Sequence, residues 1–168
     1  MLTIGDMAPS LVRPNFDEAS AASRLRRFHN DGIIQPIGRA GQKATSPYLY
    51  APYTLPLSAI LFTLYDMGMQ DKDVLRDIAG FLTASNEGTP HITHILEETA
   101  RGEDSHLVIT GFIRPQDNDL IRGAYLLYAE GRKYPIVTPS DDHEPVLTLT
   151  LDLRLLLVPF VASRETEH

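Results

Sequence analysis

Apolar residues fall at helical spacing from the start of the chain. Ile4, Met7, Ala8 and Leu11 follow Thr3, and Asp6 stands three places after it, a capping-box-like start that predicts a short first helix. Pro14, in Arg13-Pro14-Asn15-Phe16, predicts its end, because proline lacks an amide hydrogen and biases the preceding residue away from the α region. Asp17 is expected to cap a second helix carrying Ala19, Ala22, Leu25 and Phe28, with Asn30-Asp31-Gly32 as its stop. Ile33-Ile34-Gln35-Pro36 is expected to be a short strand. Residues Gly38 to Pro47 have a loop composition, and Tyr48-Leu49-Tyr50 is expected to return as a second strand, giving a two-stranded wing. Thr54 and Pro56 fit the cap and first turn of a third helix with Leu57, Ile60, Leu61, Leu64 and Tyr65 on one face, ended by Met67-Gly68-Met69. Asp71 precedes a fourth helix carrying Val74, Leu75, Ile78, Phe81 and Leu82, and the small, polar Thr83 to Pro90 reads as a linker.

The second half has a different pattern. A short helix from about Ile92 to Ala100 is expected, then strands at Leu107 to Ile113, Gly123 to Ala129 and Val146 to Leu151, where β-branched, aromatic or alternating residues collect. The run Leu153 to Val161 fits strand or helix equally. The expected fold class is α+β, with a mostly helical domain over residues 1–84 and a smaller α+β domain over residues 85–168.

Composition and charge sharpen this picture. The chain has 168 residues, 43% of them hydrophobic, which is ample for a packed core. Having no cysteine, it is excluded from disulfides and thiolate metal sites. No apolar run reaches the length of a membrane span, so a soluble, cytoplasmic protein is expected. The formal charge of −7 is unevenly spread: residues 1–84 hold eight Lys/Arg against eight Asp/Glu, so the whole excess lies in residues 85–168. Between Ala19 and Tyr50 five basic residues face one acidic, Asp31, a local net of +4. A basic working surface joined to an acidic partner domain follows.

The order helix, helix, strand, loop, strand, helix, helix has the layout of a winged helix-turn-helix, and Leu25, Arg26, Phe28, Asp31, Gly32, Ile33, Ile34 and Pro36 make it more specific. This stretch resembles the DNA-binding domain of the mercury-resistance-regulator (MerR) family, as do Leu2-Thr3-Ile4-Gly5-Asp6-Met7-Ala8 and the wing-end Tyr48-Leu49-Tyr50. Leu64 to Met69 and Val74 to Ile78 resemble its third and fourth helices. The resemblance covers the first half only, and implies a winged helix-turn-helix that binds duplex DNA. The sequence departs from the family pattern with Arg27 and His29 in the second helix, Tyr48 in the wing, and some seven more residues before the second helix.

A recognition helix needs polar and basic residues toward a groove about 12 Å wide while its apolar side packs inward. Ser20, Ser23, Arg24 and Arg27 recur at three- and four-residue intervals and are expected to form that face, with Leu25 and Phe28 pointing inward. Arg26 lies to one side, suited to a phosphate, and Arg39, Lys43 and Tyr48 belong to the wing. Other chemistry is weaker. His91 and His94, with Glu97 or His106, read as a solvated helix terminus rather than a zinc site, and Asp141-Asp142-His143-Glu144 as an acidic turn lacking the spacing of a calcium loop. No cofactor, metal or catalytic motif is expected. The sequence therefore points to a DNA-binding transcription regulator, not an enzyme, acting as a homodimer, with the acidic domain for dimerisation or for protein or ligand contact. The alternative is a protein-interaction adaptor, of the kind found in phage or toxin-linked complexes, whose winged domain does not read DNA.

Overall fold

The computed structural model describes residues 1–86, 88–114, 119–127, 133–137 and 144–165. The fold is α+β, and the chain divides into two compact units, residues 1–82 and 83–168. No helix among the described residues is long and apolar enough to cross a membrane.

In the first unit, α1 (Ile4–Met7) begins with a true capping box: the Thr3 hydroxyl accepts from the Asp6 amide, and the Asp6 carboxylate accepts from the Thr3 amide at 2.7 Å. The helix tightens into a 3₁₀ turn, Ala8–Leu11, and leaves helical geometry at Val12. The chain thus turns before Pro14, with Pro9 inside the 3₁₀ segment. Residues 13–16 close a tight turn in which Arg13 and Phe16 exchange backbone hydrogen bonds of 3.0 and 2.9 Å and Asn15 adopts φ 64°. Asp17 caps α2 (Glu18–Asn30) through the Ser20 amide at 2.8 Å. At its other end Gly32 takes φ 70°, so that the Ile33 and Gly32 amides bond back to Phe28 and His29 carbonyls at 2.8 and 3.0 Å. An alanine here would bring its Cβ against the following carbonyl. The variant Gly32→Ala is expected to lose about 1–2 kcal/mol of stability, read from a denaturant midpoint.

The expected strand at Ile33 to Pro36 does not form. The amides of Ile33 and Ile34 are both spent on the Phe28 carbonyl, and both side chains are buried, which a strand of period two with one covered face cannot do. The ladder lies further on and is shorter: β1 (Gly38–Arg39) pairs antiparallel with β2 (Tyr48–Leu49), so the loop between them is residues 40–47. Tyr50 continues the ladder by bridging to Leu2, which ties the chain start to this hairpin.

Helix α3 (Thr54–Asp66) is buried nearly all round, from Leu57 through Leu64, and is the centre of the unit rather than a one-sided helix. Its buried Ser58 is satisfied by donating to the Thr54 carbonyl at 2.7 Å. The Phe62 ring meets Phe28 of α2 edge-on at 5.5 Å and Phe16 at 5.6 Å. Tyr53, not Thr54, holds the cap position, and Gly68 at φ 92° ends the helix. The Asp71 carboxylate caps α4 (Lys72–Thr83), which buries Leu75, Ile78, Ala79 and Leu82.

The second unit begins where a linker was expected. Instead of a free tether, β3 (Ser85–Asn86) and β4 (Thr89–Pro90) form a hairpin leading into α5 (His91–Ala100). The strands β5 (His106–Arg114), β6 (Asp119–Leu127), β7 (Lys133–Val137) and β8 (Glu144–Asp152) make one antiparallel sheet in the order β7-β6-β5-β8. The sequence missed β7, where Pro135 interrupts a strand-like composition. Tyr128 and Ala129, expected in β6, lie outside the described residues, as do Asp141, Asp142 and His143. The apolar run after Asp152 is helix α6 (Leu153–Glu165), started by the Asp152 carboxylate accepting from the Leu155 amide at 3.0 Å. Leu107 and Ile109 of β5 are buried, as are Ile92 and Ile95 of α5 and Leu153 and Leu157 of α6.

Candidate nucleic-acid interface

Around α2, successive residues advance by about 100°. Ala21, Leu25 and Phe28 are buried on one side, and the opposite arc runs from Arg26 through Ala19, Asn30, Ser23 and Arg27 to Ser20, all exposed. This arc spans about 120°, the part of a helix that a groove of matching width can receive. Six of the eight residues expected to meet DNA are exposed: Ser20, Ser23, Arg26 and Arg27 on the arc, Arg39 on β1, and Lys43 on the loop 40–47, while Arg24 and Tyr48 are half-buried. The side chains of Arg26 and Lys43 make no ion pair or hydrogen bond among the described residues.

Arg24 does not share that face. It lies at the flank of α2, its side chain 16% exposed, and its guanidinium pairs with Asp66 at 2.6 Å. The same group sits 4.2 Å over the Phe16 ring, 5.0 Å from Phe62 and 4.7 Å from Tyr65. A guanidinium stacked and paired in this way holds α2 against the end of α3, and its charge is already answered. Arg13 binds the same carboxylate at 3.3 Å and donates to the Ala59 carbonyl and the Thr63 hydroxyl at 3.1 and 3.0 Å. The residues inserted before α2 therefore form a clamp onto α3. Asp66 carries a signal of its own in the sequence: an acidic residue at the negative end of a helix needs cationic partners.

Arg27 is 59% exposed. It donates to the Tyr65 hydroxyl at 2.6 Å and lies 3.5 Å from Asp31, contacts open enough for a phosphate to displace. Between these flanks runs an open groove of about 520 Å³, lined by Phe16, Ser20, Ser23, Arg24, Arg27 and Tyr65 among others. At its end the Asp17 carboxyl is held below its ordinary value by hydrogen bonds from Ser20.

The hairpin arginine is also occupied. Arg39 stacks on Tyr48 at 3.9 Å, donates to the Tyr48 hydroxyl, and reaches the Ser46 carbonyl at 3.0 Å, so it folds the loop on itself. The Tyr48 ring also meets His29 of α2, tilted, with centroids 4.4 Å apart. This stack fastens the hairpin to the Arg26 side of α2 and leaves Lys43 as the basic group of the loop. Behind it the fully buried Tyr50 phenol is pushed up by burial and then by Tyr48.

In the second unit no group of His, Asp or Glu among the described residues is placed to hold a metal. His94 lies 3.7 Å from both Glu97 and Glu98, and the buried Glu98 carboxylate accepts from the Ser105 hydroxyl. Burial, then the neighbouring His94, lowers His91 below its ordinary 6.5. The unfolded chain therefore takes up a proton first as pH falls. Stability present above pH 6.5 is expected to decline as pH drops toward the folded value, and His91→Gln to flatten that decline in denaturant midpoints measured on either side of it. No protein-family model, curated protein or solved structure matches this chain.

Proposed function

We propose that the chain is a sequence-specific, double-stranded DNA-binding transcription regulator of MerR-like type, acting as a homodimer. In this reading residues 1–82 are a winged helix-turn-helix: α2 enters the major groove by its exposed arc, and the hairpin β1–β2 is the wing. The observation that carries it is the arc itself, where Arg26 and Arg27 flank Ser23 and Asn30 with no large apolar side chain between them. Serine and asparagine suit base edges, and the two arginines suit the phosphates on either side of a groove or a guanine edge within it. In the same reading the exposed Lys43 of the wing loop is a further phosphate contact. Arg24 and Arg39 are positioning residues, one orienting α2 and the other the wing. The second unit carries the acidic excess and supplies dimerisation or partner contact. The test is binding of the full chain to a pool of random duplexes over a range of salt. Affinity that falls steeply with salt, with recovery of a shared sequence, is the expected result.

A further inference from the structure

The open edge of the second unit's sheet has a chemistry of its own. The sheet ends in β8, whose outer side is unpaired among the described residues. The direction of its backbone groups follows from one bond. The Leu153 amide donates to the Ser105 carbonyl at 2.8 Å, and the β5–β8 register continues unbroken from His106↔Asp152 to Thr110↔Thr148. Directly opposed residues of an antiparallel pair alternate between hydrogen-bonded and non-bonded. Leu149 and Leu151 therefore spend their amides and carbonyls on β5, and those of Thr148 and Thr150 point out of the sheet. Both threonines are exposed.

Natural edges are blunted by charge, proline or brevity. The opposite edge strand, β7, is five residues long and contains Lys133 and Pro135. By contrast β8 has nine residues, and its proline, Pro145, and its charges, Glu144 and Asp152, lie at its ends, so Val146 to Leu151 carry neither. Helix α6 follows directly on the same strand and exposes Leu155 (69%) and Val158 (49%).

We infer that the β8 edge is a homodimer interface, pairing antiparallel with β8 of a second copy about a twofold axis at Leu149. The argument for a second copy is self-complementarity. Centred on Leu149, this pairing sets Thr148 opposite Thr150 of the other copy in hydrogen-bonded pairs and Leu149 opposite itself. Every outward amide and carbonyl of the two threonines then finds a partner, and threonine faces threonine on one side of the joined sheet. The protein already uses that match within one chain, where the Thr110 and Thr148 hydroxyls lie 3.2 Å apart. An isologous interface of this kind closes after two copies and leaves no edge to propagate. The inference names the surface of the dimer proposed above, and its test contains no DNA, so failure of DNA reading and failure of this interface are separate results.

The test is sedimentation of the full chain over a wide range of concentration. Wild type is expected to dimerise. Thr150→Pro removes an amide that the chain's own sheet does not use and is expected to weaken the dimer about 30-fold or more while leaving circular dichroism unchanged. Two charged variants keep every amide, so they decide the matter even if the proline variant misfolds. Thr148→Lys with Thr150→Lys sets like charges opposite each other and is expected to give monomers. Thr148→Lys with Thr150→Glu sets opposite charges across the axis and is expected to keep the dimer. A wild type that stays monomeric, a dimer indifferent to all three variants, or two charged variants that behave alike overturns the inference. So does hydrogen exchange in which the Thr148 and Thr150 amides become protected only when a different protein is added, which assigns the edge to that partner.

Discussion

Replacing Arg26 and Arg27 together by alanine is expected to weaken duplex binding by about 10²–10⁴-fold and to reduce the slope of log affinity against log salt by about two. Each arginine stands exposed on the arc of α2, and neither charge is buried in an internal pair. Each is therefore free to release one counterion's worth of binding free energy at a phosphate. Arg24→Ala is the contrasting variant. Its guanidinium is held by Asp66 at 2.6 Å and stacked on three rings, so its loss is expected to lower stability and leave the salt slope unchanged. Fluorescence anisotropy titrations at several salt concentrations, beside denaturant melts of each variant, separate the two effects. A slope reduced by about one in Arg24→Ala would return that residue to the reading face.

The variant Phe62→Ala is expected to destabilise the first unit by about 3–5 kcal/mol, close to the total stability of many small domains. Phe62 is fully buried at the centre of α3, with Phe28 edge-on at 5.5 Å and Phe16 at 5.6 Å. Its removal leaves a cavity under α2 and loosens the ring on which Arg24 rests. The orientation of α2 thus depends on a residue of α3 packed against its buried side, away from the exposed arc. Denaturant unfolding followed by circular dichroism measures the loss. The more conservative Phe62→Leu keeps most of the volume and is expected to cost less.

Helix ends were the part of this fold most legible in the sequence. Thr3 with Asp6, Asp17, Gly32, Gly68 and Asp71 each act through backbone groups within a few residues, so local spacing suffices to place them. Elements whose hydrogen bonds run elsewhere were not legible. Ile33 and Ile34 have strand-forming side chains, but their amides are claimed by the Phe28 carbonyl of the preceding helix cap, and their burial serves the core rather than a ladder. Thr83 to Pro90 has the composition of a tether, yet the same small residues and Gly88 at φ 90° suit a tight hairpin equally well.

The candidate site was legible in its residue types and not in its orientation. Spacing alone grouped Arg24 with Ser20, Ser23 and Arg27, because three- and four-residue intervals define a stripe without saying which edge of it turns inward. The inserted turn at residues 13–16 decides that: Phe16 and the carboxylate of Asp66 draw Arg24 to the flank, and the exposed arc shifts to include Arg26 and Asn30. In the same way Arg39 reads as a phosphate contact from its place in a basic loop, while its planar fork is spent on the carbonyls and phenol of that loop.

The central claim, that the exposed arc of α2 reads duplex DNA, is tested most directly by selecting bound sequences from a random duplex pool with the full chain. The expected result is enrichment of a site with two half-sites related by a twofold and spaced by about ten base pairs or a multiple of it, lost in the Arg26→Ala plus Arg27→Ala variant. A pool that emerges unenriched contradicts the claim and places the function of this surface in protein contact, the role of an adaptor.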